Sequence, residues 1–322
     1  MQKNILVTGG AGFIGSHLCE RLVKNGHKVI CFDNLSAGQL SNITPLEASP
    51  LTGQDKLIFV QGDVNNFADL EKIFEEYKPE AVFHYAAMVG VKRTAENPVE
   101  VLDDIKGIRN IFELALQYNK PKIIFASSSE VYGEPVEIPE REDGHINPKI
   151  PYAVVKLFGE KMVEAYWQKY HLPGVALRFF NVYGPKQESS DYGFVMGIFI
   201  KQVLDGKPPI IFGDGSQTRD FVFVDDNIEA SVLAWQTDNA NGEVLNIGTG
   251  KPTTILDLAE EIIEACGKTA TLKPEFQAPR DDIKHRFPDV AKLQRILNFR
   301  PRISLKQGLQ KTIVWYKQNT SK

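Results

Sequence analysis

The chain has 322 residues, 43% hydrophobic and 24% charged, enough for one large domain or two packed lobes around a substantial core, and too apolar for a disordered chain. A formal net charge of −4 supplies no basic field to draw in nucleic acid or anionic lipid, so neither is expected as a partner. Cys19, Cys31 and Cys266 lie far apart and in no zinc-ligand spacing, which favours free thiols, no metal and a reducing compartment.

The opening "MQKNILVTGG" runs straight into an apolar segment and no stretch of eighteen apolar residues occurs, so a cytoplasmic location without a membrane span is expected. Short apolar runs then alternate with helical patterns: "NILVTG", "KVICFD", "LIFVQGD", "AVFHYAA", "KIIFASS" and "GVALRFFN". This alternation predicts right-handed βαβ units, a parallel sheet covered on both faces, and ligands at the carboxyl ends of the strands.

After the first run, Gly9, Gly12 and Gly15 stand at G-x-x-G-x-x-G spacing, and Gly10 also satisfies G-x-G-x-x-G. Lacking Cβ atoms, such positions turn tightly, admit a pyrophosphate to the backbone and let the next helix press on the sheet. Phe13 and Ile14 open that helix, whose N–H groups suit phosphates. Asp33 ends the second run, eighteen residues past Gly15, where its carboxylate can accept from both adenosine ribose hydroxyls and repel a 2′-phosphate. NAD is therefore expected over NADP, with Asn34 beside the ribose. Asp63 and Val64, after the third run, are placed for the adenine; for Asp63 a solvent-facing turn is the competing reading.

Residues 99–118 carry apolar side chains at spacings of three and four, the pattern of a helix with one buried stripe. The fifth run leads into "ASSSEVYG", three hydroxyls beside a carboxylate at a strand end. Tyr152 and Lys156 are four apart on a predicted helix and share its face. A neighbouring ammonium would draw a phenol down from about 10 toward working pH, where it can exchange a proton with a substrate hydroxyl. The alternative is a surface pair of little energetic worth. Beyond residue 180 the chain turns Gly- and Pro-rich, with later helices such as "TILDLAEEIIEACG", which reads as a smaller, irregular lobe.

Taken in order, "TGGAGFIG", "HYAA", "SSSEVYG", "YAVVK", "RFFNVYGP" and "GDGSQTRDFVFVDD" resemble the extended short-chain dehydrogenase/reductases that act on nucleotide sugars, the epimerase/dehydratase family, over nearly the whole chain. The resemblance implies an α/β fold: a Rossmann-type doubly wound parallel sheet with a smaller α/β carboxyl-terminal substrate lobe. Residues 1–180, with returning segments near 220–250, are expected to bind NAD, and 181–322 mainly the substrate. It also implies Ser128 as the catalytic hydroxyl beside Tyr152 and Lys156, and Phe179 and Phe180 at the nicotinamide end. Asn181 and Arg219 would meet the substrate diphosphate. In "APRDDIKHRFPD" the family often spaces an arginine and acid one residue further apart, so Arg280 stands as the phosphate ligand with Arg286 as its substitute.

By the same resemblance, "PPIIFGDG", with Phe212, looks like the strand on which uridine or thymidine stacks, which favours a UDP-sugar over a dTDP-sugar. The loop "AAMVGVKRTAENP" offers Val89, Lys92 and Arg93 to the sugar and looks epimerase-like. Family 4,6-dehydratases resemble Thr-Asp-Glu where this chain has Ser128-Ser129-Glu130, and uronate decarboxylases and a subset of dehydratases resemble Thr-Ser-Glu. Glu130 is open to three roles: a base, a sugar-hydroxyl contact, or a structural carboxylate; the contact role is favoured. The expected activity is an NAD-dependent nucleotide-sugar 4-epimerase through a transient 4-keto intermediate. Decarboxylase or dehydratase activity is the alternative, and a non-catalytic NAD sensor a further one. The helix at 99–118 and the helix of Tyr152 resemble the family's dimer-forming pair, so a homodimer is expected.

Overall fold

Seven parallel strands form the central sheet of the computed structural model, which describes residues 1–44, 56–190, 193–280 and 283–319. They are β1 (Asn4–Thr8), β2 (Lys28–Asp33), β3 (Leu57–Gln61), β4 (Ala81–His84), β5 (Lys122–Ser128), β6 (Gly174–Phe179) and, arriving late in the chain, β10 (Glu243–Ile247). Their spatial order is β10-β6-β5-β4-β1-β2-β3. Strand order therefore reverses between β1 and β4, and a crevice opens at their carboxyl ends. The six runs of the sequence correspond to β1 to β6, and the fold is the expected Rossmann-type sheet.

Alternation along each strand divides the core in two. Ile5, Val7, Val29, Cys31, Phe83, Ile124 and Val175 face one side, where Leu18 and Leu22 of α1 (Phe13–Lys24) cover them. Leu6, Ile30, Phe32, Val82, Ile123, Phe125 and Ala176 face the other. That second face is covered by α2 (Phe67–Tyr77), α4 (Asp104–Gln117) and α5 (Pro151–Tyr170), through Phe74, Ile111, Phe112, Val155 and Val163. A strand buried on both faces needs apolar residues at every position, as "ILV" and "IIFA" supply.

A short helix, α3 (Val91–Glu96), lies between β4 and α4. The helical pattern predicted over 99–118 divides into a 3₁₀ turn, Glu100–Asp103, and α4. Pro151 at the first position of α5 fits a backbone site whose N–H has no helical partner.

Smaller sheets stand beside the strand ends. β7 (Asn181–Tyr183) pairs in parallel with β9 (Thr218–Phe223), which pairs antiparallel with β11 (Pro252–Thr254). β8 (Ile210–Phe212) pairs with β12 (Glu275–Gln277). Among them pack α6 (Val195–Leu204), α7 (Val224–Gln236), α8 (Ile255–Ala265), α9 (Ala291–Leu297) and α10 (Leu305–Asn319). No helix of the described residues is long and apolar enough to cross a membrane.

Candidate active site

A cleft of about 3150 Å³ runs along the carboxyl ends of the central strands and continues between the smaller sheets. At its β1 end the backbone is folded too tightly for side chains. Gly9 has φ +68°, and a Cβ there would stand 2.8 Å from the Ala86 nitrogen; a Cβ on Gly15 would stand 2.1 Å from the Gly9 oxygen. Gly12 precedes α1, whose start carries neither a capping side chain nor an acidic residue in the first turn. Phe13, Ile14 and Gly15 thus line the cleft at the positive end of a helix dipole, a seat for an anion.

Asp33 closes this half. It is buried, one carboxylate oxygen accepting from the Ala11 N–H at 3.0 Å and the other from Leu35 N–H at 2.8 Å. Two main-chain donors hold the carboxylate at the mouth of β2, and each oxygen keeps further acceptor capacity. Asp63 accepts from the Asn65 N–H at 2.8 Å and from Asn34 Nδ2 at 3.3 Å, and Asn34, Asp63 and Val64 all line the cleft. A glycine cradle that any Cβ would fill, followed by an anchored carboxylate, fits a dinucleotide.

The second half centres on α5. Tyr152 is half-buried, and Ser128 at the end of β5 stands beside its phenol. The Ser128 Oγ also accepts the Glu130 N–H at 3.2 Å, starting the turn that follows β5. Lys156 is buried one turn along; its Nζ donates to the Ala126 carbonyl at 2.8 Å and lies 5.5 Å from the Tyr152 ring centre. Burial pulls Lys156 down to about 8, opposed by the charge of Asp104.

Against the expected lowering of Tyr152 by Lys156 stand opposing influences in this pocket. Burial pushes the phenol up, Glu130 and Asp104 push the same way, and the Ser128 hydroxyl acts downward. The Lys156 ammonium is turned to a carbonyl, so its charge is partly spent on the backbone. Asp104, which accepts the Met88 N–H at 2.8 Å, is a site residue that sequence reasoning passed over. It sits in a stripe legible only as apolar spacing.

Behind the hydroxyl row lies a buried ionic network. Arg178 at the end of β6 donates to both Glu160 oxygens, at 2.8 and 2.7 Å, and Ser127 Oγ donates to the same carboxylate. Two-pronged pairing ties β5, β6 and α5 together. In front, Arg286 donates to Glu130 and, at 2.7 Å, to the Gly133 carbonyl, with Glu140 Oε1 3.7 Å from its Nε. Arg286 is therefore engaged with carboxylates and a carbonyl, and its expected service as a substitute phosphate ligand is corrected.

Towards the smaller sheets, the Arg280 guanidinium lies 3.3 Å from the Phe212 ring centre, and Phe276 lines the same wall. Arg219 and Asn181 line the cleft between this wall and Tyr152, Arg219 donating to the Thr218 carbonyl and Asn181 to the Asp220 carbonyl. Ser129 is buried beside Glu130, and Val89 and Arg93 line the opposite rim. The side chain of Lys92 lies outside the described residues. Phe179 meets Tyr85 edge-on at 5.6 Å, whereas Phe180 is buried against Val131 and Tyr132. Trp315, Tyr316 and Asn319 of α10 also line the cleft, contributions that no motif announces. Among the described residues no cluster of acidic, His and Cys side chains is placed to hold a metal ion.

Residues 5–248 match the model of the NAD dependent epimerase/dehydratase family. The chain belongs to that family. Over 318 residues, 98% of this chain and 99% of its relative, it is 39% identical to a putative UDP-glucose 4-epimerase of Methanocaldococcus jannaschii. It is 37% identical to a UDP-N-acetyl-α-D-glucosaminuronate decarboxylase of Bacillus cytotoxicus, covering 99% of both chains. Among solved structures, a UDP-glucose 4-epimerase from Thermotoga maritima, determined with UDP-glucose, superposes with a TM-score of 0.91 at 35% identity, over 98% of this chain and 99% of the other. As a member of the epimerase/dehydratase family the protein is an NAD-dependent enzyme, and NAD supplies a reversible hydride acceptor. The family holds both isomerases and lyases, so the course of the reaction after oxidation depends on side chains.

Proposed function

We propose that the protein is a nucleotide-sugar 4-epimerase acting on a UDP-sugar. Gly9, Gly12, Phe13, Ile14 and Gly15 would hold the cofactor pyrophosphate, Asp33 and Asn34 the adenosine ribose, and Asp63 and Val64 the adenine. Phe179 and Lys156 would border the nicotinamide riboside. On the substrate side, Phe212 and Arg280 would border the base, and Arg219 and Asn181 the diphosphate. Val89, Lys92 and Ser129 would border the sugar.

In this reading Tyr152 takes the proton of the sugar 4-hydroxyl as carbon 4 loses hydride, and Ser128 holds that oxygen in line. The resulting 4-keto sugar turns, receives hydride on its other face, and regains its proton from Tyr152. Neither turn nor return calls for a second base. The observation that carries the reading is the state of Glu130: its carboxylate is paired with Arg286, and its neighbour at position 129 is a serine. A base removing the carbon 5 proton needs a carboxylate free to accept it, or an acid partner beside it.

The reading is tested by incubating the enzyme with UDP-glucose, UDP-N-acetylglucosamine and UDP-glucuronic acid and separating products by chromatography and mass spectrometry. An epimer of unchanged mass is expected. A principal product that has lost water, or carbon dioxide, would establish the lyase alternative. The exposed Val99, Leu102 and Val154, on the turn before α4 and on α5, suit the proposed homodimer, which sedimentation checks.

A further inference from the structure

One guanidinium between two carboxylates stands at the wall of the cleft. Arg286 is 2% exposed and Glu140 likewise 2%, whereas the Glu130 side chain is 38% exposed. The two Arg286 amino groups serve Glu130 and the Gly133 carbonyl, on either side of the turn after β5. Its Nε faces Glu140 at 3.7 Å, and neither oxygen of Glu140 has a hydrogen-bond partner. Glu140 is pushed up to about 8, by burial first and with Glu130 adding to it, while Arg286, Arg219 and Arg178 act downward. Burial thus disfavours charge on Glu140, and the hydrogen bond of Arg286 goes to Glu130, its closer and better-bonded counter-ion.

We propose that Arg286 is a positioning residue: it fixes the Glu130 carboxylate at the cleft wall beside Tyr152 and compensates its charge, so that Glu130 accepts a hydrogen bond from the sugar ring without acting on it as a base. The proposal rests on the roles read above for Tyr152 and Glu130. Charge reaches Tyr152 from three sides: Glu130 after β5, Asp104 on α4 and Lys156 on its own helix, with the neutral Ser128 hydroxyl beside it. Of these, Glu130 alone has a guanidinium against it. Removing Arg286 leaves an unanswered anion near the phenol, and removing Glu130 leaves an unanswered cation.

The two changes must therefore move Tyr152 in opposite directions. In the NAD-loaded protein, the ultraviolet difference titration between each background and its Tyr152→Phe partner isolates this phenol without any turnover. Arg286→Gln is expected to raise its midpoint by about one pH unit and Glu130→Gln to lower it by a similar amount; the double variant should return close to the parent. Arg286→Lys keeps the charge but not the fork, so its midpoint should stay near the parent. With the UDP-sugar that the product screen identifies, KM for Arg286→Lys should rise about tenfold with little change in kcat.

If Arg286→Gln does not fold, Glu130→Gln and Arg286→Lys decide the matter, since one alters a half-exposed side chain and the other preserves charge. An unshifted phenol in Glu130→Gln, or a parent-like KM in Arg286→Lys, overturns the proposal. Full turnover by Tyr152→Phe would instead overturn the reading beneath it, a separate failure.

Discussion

The ammonium of Lys156 donates to the main-chain carbonyl of Ala126 at 2.8 Å, joining the helix that carries Tyr152 to the strand that ends in Ser128. Both partners are buried, so the tie is made away from competing water. Lys156→Met removes the donor and breaks that tie. We expect NAD affinity to fall about tenfold or more, measured by fluorescence titration, with turnover falling further because Tyr152 and Ser128 lose their common anchor. Since burial holds Lys156 at about 8, its charge is present below that pH and lost above it. Affinity for NAD in the parent should accordingly decline as pH rises through 8, and a flat profile would argue against a Lys156 contact with the cofactor.

Asp33 governs cofactor choice through one carboxylate held by two main-chain N–H groups. Asp33→Ala removes both the ribose acceptor and the repulsion of a 2′-phosphate. The ratio of NAD to NADP affinity, obtained by calorimetry, should narrow toward unity in this variant. Equal affinities in the parent would show that Asp33 does not select.

Tyr152→Phe deletes a single oxygen from α5. The helix stays packed on Phe125 through Val155 and Val163, so thermal unfolding and NAD binding should be unchanged, while turnover drops by about two to four orders of magnitude. Stopped or steady-state assays with the UDP-sugar substrate check this. Normal turnover would hand the proton transfer to another group.

Glu140 makes a stability prediction with a definite sign. Its carboxyl is held at about 8 in the folded chain, well above its ordinary value of 4.5. The group therefore favours the fold fully below pH 4.5 and loses that contribution as pH rises toward 8, because the unfolded chain releases the proton first. Glu140→Gln cannot lose a proton. Its unfolding free energy relative to the parent should climb by a few kcal/mol between about pH 5 and pH 8 and then level off, as followed by urea denaturation. A constant difference across that range would mean that Glu140 is ionised in the fold.

Periodicity and spacing in the sequence were enough for the parallel sheet, for the glycine turn with Asp33, and for Tyr152 and Lys156 as companions, whereas Ser128 joined them only through the family resemblance. These features are local: a strand buried on both faces must be apolar throughout, a turn that admits no Cβ must be glycine, and residues four apart on a helix must share a face. Where the charges lie relative to one another was decided by the tertiary structure. Lys156 and Tyr152 share a face, yet the ammonium is drawn to the Ala126 carbonyl and the phenol is raised by its surroundings. Arg286 and Glu130 are 156 residues apart in the chain and meet at one wall, so no window of sequence contains their pairing. Asp104, Trp315 and Tyr316 reach the cleft only because α4 and α10 pack where they do. Electrostatics depends on distance and burial in three dimensions, and neither is set by separation along the chain.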